Sequence, residues 1–219
     1  MSSHHTVREK QEPALLIADG IIAWNSLFEL LEWSPTVVAL DGAARRIMEQ
    51  GIKVDWVIGD FDSETEISEL LQLQPDVRIM KLEDQDCNDL EKGLQFLVKD
   101  GHSACHILGA SGDRSDHWLE NLSVCMKYIP HINWQWIGTH DRLYPVPRPF
   151  KKYYEKGVGL GLMPFPEVSG LSATNLVWAV ENIDLKLGLR TGSSNRVAET
   201  GWVEISYQSG EVLLVEYWD

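Results

Sequence analysis

The sequence predicts an α/β fold in which a parallel-sheet domain is followed by a small all-β sandwich. In the first part of the chain, short apolar runs alternate with segments of helical length, which favours a parallel sheet covered by helices on both faces. After about residue 141, short strand-like runs are separated by Gly, Asn and Ser, which is typical of an all-β domain. We therefore expect a Rossmann-like domain over residues 1–145 and a β sandwich over residues 146–219.

The elements of the first domain follow in chain order. The runs ALLIADG, TVVALDG and VDWVIGD have the apolar character of buried strands, and AARRIMEQG predicts a short helix that ends at Gly51. A second helix starts in SETEISELLQLQP, because Ser63 and Glu66 form a capping-box pattern. The runs VRIMKL, DLEKGLQFLVKDG, ACHILGA and DHWLENLSVCMKYI then predict a strand, a helix, a strand and a helix.

The second domain opens with LYPVPRPF, whose prolines cannot continue a helix and predict a linker or a sheet edge. Near the C-terminus, WVEISYQ and EVLLVEY alternate apolar and polar residues, as half-buried strands do. Ser209 and Gly210 lie between these two runs, so we expect a β-hairpin there.

The charge of the chain argues against nucleic-acid partners. The sequence carries 33 acidic and 19 basic residues, a formal charge of −14, and has no run of Lys or Arg. This field repels a polyphosphate backbone. A phosphorylated small substrate meets the same repulsion, which a divalent cation held by carboxylates would offset.

The cysteines and the N-terminal residues predict a cytoplasmic protein. Cys87, Cys105 and Cys125 form no CxxC pair, which indicates free thiols in a reducing compartment. The first residues are polar, and no apolar run approaches the roughly 18 residues that span a bilayer. We therefore expect no membrane partner.

Two aspartates follow the third predicted strand, in the segment VIGDFDSETE. In an extended chain, residues i and i+2 project to one side, so Asp60 and Asp62 could share a hard cation while Phe61 points inward. A solvated turn followed by Ser63 as a helix cap explains the same residues, and a lone DxD motif favours that interpretation.

A second acidic group, EDQDCNDLEKG, precedes a predicted helix. Asp84, Asp86 and Asp89 lie ahead of its first turn or inside it, where the helix macrodipole and exposed amides favour carboxylates. Helix capping and metal ligation explain these residues about equally well.

The segment LGASGDRSDHWLEN is a glycine-containing loop that opens a helix. Its small residues allow the backbone to approach a phosphate, and the amides at a helix start offer an anion site. Arg114 could contact phosphate oxygens, and Asp116 could hold a metal or orient a hydroxyl. His117 could act as an acid or base, or could simply pack. All three groups follow predicted strands, at the edge of the sheet where α/β folds bind ligands.

In this order the motifs resemble those of the thiamine pyrophosphokinase family. The matching segments are Asp41-Gly42, GDFDS at 59–63, DQDCNDLEK at 84–92, GASGDRSDH at 109–117, LVWAVEN at 176–182 and GSSN at 192–195. The resemblance covers roughly residues 37–215.

The resemblance implies a two-domain enzyme that transfers the pyrophosphoryl group of ATP to the hydroxyl of thiamine, giving thiamine diphosphate and AMP. It implies Mg²⁺ as the metal and a homodimer with its active site in a cleft between subunits. The α/β domain would bind ATP and Mg²⁺, and the β sandwich would bind thiamine.

The resemblance also assigns roles to individual residues. Mg²⁺ would be held by Asp60, Asp62 and Asp89, and Asp116 would join these catalytic residues or accept the proton of the hydroxyl. The nucleotide would be contacted by Asp41, Gln85, Asn88, Arg114 and His117. Thiamine would be contacted by Trp178, Ser193, Ser194 and Asn195. Without the resemblance, Trp178 would be interpreted as a core tryptophan.

Two alternatives remain open at this point. The run DFDSET at a strand end is also compatible with a Mg²⁺-dependent phosphatase that uses Asp60 as a phosphorylated nucleophile. Asp113 stands where the family loop usually has a second glycine, and its charge leaves room for a thiamine- or nucleotide-binding protein without catalysis.

Overall fold

A computed structural model describes residues 12–61, 63–82, 86–112 and 114–218. It shows a part with a parallel sheet and helices, followed by a β-rich part, which confirms the predicted fold class. The chain divides into two compact units between Thr139 and His140. The boundary predicted between residues 145 and 146 lies six residues later than this division. The difference arises because Asp141 already pairs with a strand of the second unit.

The first unit is built on a parallel sheet. Its strands are β1 (Ala14–Ile17), β2 (Val37–Leu40), β3 (Trp56–Gly59), β4 (Arg78–Lys81), β5 (Ala104–Leu108) and β6 (Asn133–Ile137). They pair in the order β4-β3-β2-β1-β5-β6. The chain builds outward from β1 to β4 and then continues on the other side of β1. The strand order therefore reverses between β1 and β5, and such a switch point forms a ligand crevice at the carboxyl ends of the strands.

Helices connect these strands. They are α1 (Trp24–Leu31), α2 (Asp41–Glu49), α3 (Glu64–Leu73), α4 (Asp89–Lys99) and α5 (Ser115–Tyr128). β1 and β2 are buried along their whole length because all their residues are apolar. Ala43, Ala44 and Ile47 of α2 pack into the same core as these strands. None of the helices in the described ranges is long and apolar enough to cross a membrane.

The elements of the first unit match the sequence patterns, with two exceptions. Ser63 caps α3 by accepting from the Glu66 amide at 3.3 Å, and Gly51 and Gly101 adopt positive φ angles after α2 and α4. The sequence patterns do not predict α1 or β6. α1 has no side-chain cap, no acid in its first turn and no base in its last turn, so the usual helix signals are missing.

The second unit is built of antiparallel β-strands. Its strands are β7 (Asp141–Pro145), β8 (Phe150–Tyr154), β9 (Gly159–Ala173), β10 (Val180–Lys186), β11 (Gly192–Arg196), β12 (Gly201–Ser206) and β13 (Ser209–Tyr217). They pair in the order β7-β13-β9-β12-β8, and β10 and β11 also pair with β9. β9 has 15 residues and contacts four other strands, so it is the central element of this unit.

The hairpin predicted around Ser209 and Gly210 is wrong. β12 pairs with β8 and β9, and β13 pairs with β7 and β9, so β9 lies between the two strands in the sheet. The alternating pattern identifies both strands correctly. Local turn chemistry does not reveal that a strand from earlier in the chain pairs with both of them.

Glu216 is a buried carboxylate within the second unit. Its Oε1 accepts hydrogen bonds from the hydroxyls of Tyr144 and Tyr154 and from Nζ of Lys152, the last at 2.6 Å. Burial raises the pKa of Glu216, but these three donors together bring it below its ordinary value. Burial and the nearby carboxylate raise the pKa of both tyrosines. At neutral pH the cluster therefore holds one charged acceptor and two neutral hydroxyl donors.

Glu216→Leu should lower the free energy of unfolding by about 3 kcal/mol, because two hydroxyls and an ammonium lose a buried acceptor. Glu204→Leu is a matched control. Glu204 also pairs with a lysine at 2.6 Å, but its side chain and that of Lys151 are 52% and 54% exposed. Such exposed pairs contribute about 1 kcal/mol or less. Urea unfolding at pH 7 measures both effects, and equal losses would contradict the stabilising role of the cluster.

The Glu216 contribution should also depend on pH. Folding lowers the pKa of Glu216, so its stabilisation is fully present above the ordinary glutamate pKa of about 4.3. It is lost as the pH falls through the lower pKa of the folded state. The stability difference between wild type and Glu216→Leu should therefore shrink in acid, and a constant difference across the acid range would contradict this assignment.

Candidate active site

A cavity of about 710 Å³ opens at the carboxyl ends of the parallel strands. Its walls are the segments that follow β1, β2, β3 and β5, together with the starts of α4 and α5. The predicted site residues that line it are Asp41, Asp60, Asn88, Asp89, Arg114 and His117. Asp62 and Gln85 lie outside the described residues. The cavity occupies the switch point at which α/β sheets bind ligands.

The carboxylate of Asp41 sits directly beside Gly59. A Cβ at residue 59 would lie 2.2 Å from Asp41 Oδ2 and 2.6 Å from Asp41 Cβ, so any side chain there would displace the aspartate. Asp41 Oδ1 accepts from the Gly42 amide at 2.7 Å, and Oδ2 accepts from the Phe61 amide at 3.4 Å. Asp41 therefore ties the end of β2 to the turn that follows β3.

Negative charge accumulates around Asp41. Burial is the largest influence that raises its pKa, and the charges of Asp89 and Asp60 raise it further. The hydrogen bonds from Gly42 and Phe61 act in the opposite direction without cancelling the rise. The charges of Asp60 and Asp89 thus disfavour ionisation of Asp41, and a bound cation relieves repulsion of this kind.

Phe61 separates the two aspartates of the GDFDS segment. Its side chain is buried in the core of the first unit, as predicted. Its φ of +46° lies in the left-handed region, so the backbone after Asp60 is a turn, and the extended geometry assumed from the sequence is wrong. Asp60 is exposed and lines the cavity. The turn is held in this strained conformation because the Phe61 side chain is buried and the Phe61 amide donates a hydrogen bond to Asp41.

The start of α4 presents the second acidic group. Asn88 caps this helix by accepting from the Glu91 amide at 2.9 Å, so the aspartates are not needed for this role. Asp89 lines the cavity with a side chain that is 46% exposed. Its Oδ1 lies 3.1 Å from Nζ of Lys92, whose side chain is only 5% exposed. Lys92 is a site residue that the sequence reasoning missed, although its spacing of three from Asp89 on a helix indicates the contact.

The loop after β5 packs against the turn after β1. The Gly20 amide donates to the Gly109 carbonyl at 2.7 Å. Gly109 has φ of +67°, and a Cβ there would lie 2.1 Å from the Ala18 carbonyl oxygen. Only glycine fits this position. Residues 109–112 therefore line the cavity with small side chains, which leaves room for a phosphate to approach the backbone.

Arg46 fixes the same turn from α2. Its Nη1 donates to the Asp19 carbonyl oxygen at 2.8 Å and to Asp19 Oδ1 at 2.9 Å. Asp19 lines the cavity, so its ion pair with Arg46 compensates one of the negative charges of the cavity. Arg46 and Asp19 were not among the predicted site residues, because a contact across 27 residues leaves no local pattern.

Asn121 of α5 joins three segments of the site. Its Oδ1 accepts from Asn88 Nδ2 at 3.0 Å, and its Nδ2 donates to the Ala110 carbonyl at 2.8 Å. The start of α4, the body of α5 and the glycine loop are therefore linked through one side chain. The partners lie 33 and 11 residues away, so no local sequence pattern predicts this role.

Arg114 and Asp116 form an ion pair beside the cavity. Arg114 Nη2 lies 2.5 Å from Asp116 Oδ2, and both side chains are 66% exposed. The hydrogen bond from Arg114 lowers the pKa of Asp116 to about 2. A carboxylate with so low a pKa is a weak general base, so Asp116 is better suited to orienting Arg114 than to accepting a proton. His117 lines the cavity and is exposed.

The donor set of the cavity suits Mg²⁺. Within the described ranges, no group of three or more His, Cys, Asp or Glu side chains is already arranged to hold a metal ion. Mg²⁺ does not require such a cage, since it usually binds one or two carboxylates together with waters and substrate phosphates. Asp60 and Asp89 offer carboxylate oxygens of this kind on one cavity.

The predicted thiamine residues lie in the second unit. Trp178 is 57% exposed, so it is not a core tryptophan. Ser193 and Ser194 are exposed on β11. Asn195 is 5% exposed, and its side chain bonds to the backbone of Trp178. The structure thus brings Trp178 and Asn195 together, and the contacts of these residues with thiamine stay predictions.

Comparison with known families identifies the chain. Residues 27–134 match the thiamin pyrophosphokinase catalytic domain, and residues 149–212 match the thiamin pyrophosphokinase vitamin B1 binding domain. The two matches together span most of the 219 residues, so the chain belongs to the thiamin pyrophosphokinase family, a family of enzymes. The resemblance inferred from the motifs is confirmed.

Individual relatives agree in sequence and fold. Thiamine pyrophosphokinase from Bacillus subtilis is 23% identical over 189 residues, which is 83% of this chain and 87% of the relative. Its crystal structure has a TM-score of 0.81 at 21% identity, over 95% of this chain and 100% of the other. Yeast thiamin pyrophosphokinase has a TM-score of 0.79 at 16% identity, over 97% and 88% of the two chains.

Gly59→Ala should lower the free energy of unfolding by about 1–3 kcal/mol, because the new methyl group overlaps the Asp41 carboxylate. Gly201→Ala is the control, since its Cβ would meet nothing nearer than 3.6 Å. We expect that control to change stability by about 1 kcal/mol or less. Urea unfolding measures both variants. An unchanged stability of Gly59→Ala would show that Asp41 does not depend on the space at residue 59.

Proposed function

We propose that this protein transfers the pyrophosphoryl group of ATP to the hydroxyl of thiamine, giving thiamine diphosphate and AMP, with Mg²⁺ as the metal. The convergence of Asp41, Asp60 and Asp89 with the glycine loop on one cavity carries the proposal, together with membership of the family. In this reaction the hydroxyl oxygen bonds to the β-phosphorus and the bond to the α–β bridging oxygen breaks, so AMP leaves and the hydroxyl proton passes to solvent or a base.

The glycine loop and the first turn of α5 would receive the triphosphate. Residues 109–112 expose backbone to the cavity, and Arg114 at the start of α5 supplies a planar group that can donate two parallel hydrogen bonds to phosphate oxygens. Asp116 holds that guanidinium through two hydrogen bonds. Asn121 holds the glycine loop through the Ala110 carbonyl, and Arg46 holds the neighbouring turn through the Asp19 carbonyl.

The carboxylates would hold the metal. Asp60 and Asp89 line the cavity, and Asp62 is the predicted third ligand. Bound Mg²⁺ would neutralise charge on the triphosphate and help to hold it in line with the incoming hydroxyl. Both oxygens of Asp41 already accept from backbone amides, so Asp41 shapes the turn that presents Asp60.

The second unit would supply the thiamine site. Thiamine carries a positive thiazolium ring, which an exposed indole can stack against and attract through its π face. Trp178 offers such a ring, and Ser193 and Ser194 offer hydroxyls for polar contacts. The formal charge of −14 also attracts a cationic substrate.

We further propose that the enzyme is a cytoplasmic homodimer in which each active site draws residues from both subunits. This proposal rests on the family. Mixing Trp178→Ala chains with Asp60→Asn chains tests it, because subunits that share sites would regain part of the activity that each variant lacks. Sites formed within one chain would give no recovery.

Neither alternative from the sequence is favoured by the family. A phosphatase with Asp60 as nucleophile would release inorganic phosphate and would not need thiamine. A protein that only binds its ligands would retain ATP and thiamine without turnover.

Incubation of the full chain with Mg²⁺, ATP and thiamine should produce AMP and thiamine diphosphate in equal amounts. ³¹P NMR distinguishes these products from ADP and inorganic phosphate. Omission of thiamine should stop AMP release. ADP or phosphate as the main product would exclude the proposed reaction, and unchanged ATP at high protein concentration would support the binding-only alternative.

Asp60→Asn should reduce kcat by about 10²-fold or more, because the developing charge loses a preorganised electrostatic partner. Its fold should be retained, since Asp60 is exposed. Asp76→Asn is the matched control, an exposed carboxylate in the turn before β4. Steady-state kinetics and circular dichroism check both variants. Full activity of Asp60→Asn at ordinary Mg²⁺ concentration would exclude the metal-binding role.

A further inference from the structure

Trp178 combines an exposed ring with a firmly held backbone. Trp178 is 57% exposed and the preceding Val177 is 55% exposed, so the two form an apolar tip on the surface of the second unit. Solvent-exposed loop tips are usually the mobile parts of a domain. Here, however, the Val177 amide donates to the Arg196 carbonyl at 2.9 Å, and both backbone polar groups of Trp178 are also bonded.

Asn195 makes both bonds to Trp178. Its Oδ1 accepts from the Trp178 amide at 3.1 Å, and its Nδ2 donates to the Trp178 carbonyl at 2.8 Å. The same Oδ1 also accepts from the Arg196 amide at 2.8 Å. The side chain therefore replaces a strand partner for Trp178, with a donor and an acceptor in one planar group.

A β-bulge in β11 explains why Asn195 points inward. The register between β11 and β9 shifts between the pairs Gly192–Leu162 and Asn195–Leu160, so three steps on β11 match two on β9. Ser194, inside the bulge, has φ of +63°. The extra residue breaks the alternation, leaving Ser193 and Ser194 exposed and Asn195 buried.

This geometry leaves Asn195 little capacity to bind a ligand. A side-chain amide oxygen has two lone pairs, and the amides of Trp178 and Arg196 use both. The residue is only 5% exposed. A hydrogen bond from thiamine to Oδ1 of Asn195 would require breaking its bond to the Trp178 amide or to the Arg196 amide.

We propose that Asn195 is a positioning residue that acts on thiamine through Trp178, by fixing the backbone from which the indole projects. A ring held in place before the ligand arrives costs less conformational entropy on binding than a mobile one. The inference rests on the proposed thiamine-binding role of Trp178. It gives Asn195 a role distinct from that of the neighbouring serines, which remain free to contact the ligand.

The first test follows backbone protection without any substrate. In Asn195→Ala the Trp178 amide loses its acceptor and should exchange with deuterium faster than in wild type. Asn195→Asp keeps Oδ1 as an acceptor, so the same amide should remain protected while the carbonyl loses its donor. Asn133→Ala, an exposed strand asparagine in the first unit, is the control. Equal protection of the Trp178 amide in wild type and Asn195→Ala would overturn the proposal.

The second test is a double-mutant cycle on thiamine kinetics. Asn195→Ala should raise the KM for thiamine about tenfold, as expected for loss of one or two hydrogen bonds, with kcat and the KM for ATP changed less than about twofold. In a Trp178→Ala background the same substitution should have almost no further effect. A full additional increase in that background would mean that Asn195 contacts thiamine directly. Equal changes in both KM values would indicate a general structural role, and either result overturns the proposal.

The outcomes separate this inference from the proposed function. An inactive wild-type enzyme would contradict the function, while the exchange experiment would still test the link between Asn195 and Trp178. An active wild type whose Trp178→Ala variant keeps its KM for thiamine would overturn the inference and the thiamine-binding role of Trp178, but not the proposed reaction. If Asn195→Ala does not fold, Asn195→Asp still tests the proposal, because it should retain the protected amide and fall between wild type and Trp178→Ala in KM.

Discussion

The placement of the Asp41 carboxylate against Gly59 is the constraint on which the candidate site depends. A side chain at residue 59 would fill the space of that carboxylate, whose two oxygens bind the amides of Gly42 and Phe61. One residue thus joins the ends of β2 and β3 and fixes the turn that carries Asp60. Glycine at residue 59 leaves the space that the Asp41 carboxylate occupies. Phe61 is held in the left-handed region because its ring is buried and its amide donates a hydrogen bond to Asp41.

The same arrangement concentrates negative charge. Asp41, Asp60 and Asp89 surround one cavity, and the pKa of Asp41 is raised by burial and by the other two carboxylates. Lys92 provides a buried positive charge beside Asp89, and Arg46 pairs with Asp19, which also lines the cavity. Among the described residues, Asp60 lines the cavity without a salt-bridge partner. The proposed divalent cation, bound together with substrate phosphates, would offset this negative charge.

Sequence reasoning succeeded where the signal is local. Ser63 caps α3, Gly51 and Gly101 follow helices, and the acidic segments lie after strands, because capping, chain reversal and strand ends are decided by a few adjacent residues. It failed where distant contacts decide. β9 lies between β12 and β13, and the conformation of Phe61 follows from a hydrogen bond to a residue 20 positions away. α1 was missed for a different reason, because it lacks the side-chain caps that mark a helix in sequence. Asn121 and Asn195 act through long-range contacts, so their roles were visible only in the folded chain.

The effect of Mg²⁺ on unfolding tests the central claim, that these carboxylates form a cation site, most directly. The protein would be unfolded in urea with a saturating ATP analogue whose α–β bridging oxygen is replaced by CH₂, across a Mg²⁺ series. Binding to the folded state should add about 2.7 kcal/mol when Mg²⁺ reaches 100 times its dissociation constant. Asp60→Asn and Asp89→Asn should lose most of this increase, whereas Asp76→Asn should keep it. An increase that survives in Asp60→Asn and Asp89→Asn, or that is missing from wild type, would contradict the account.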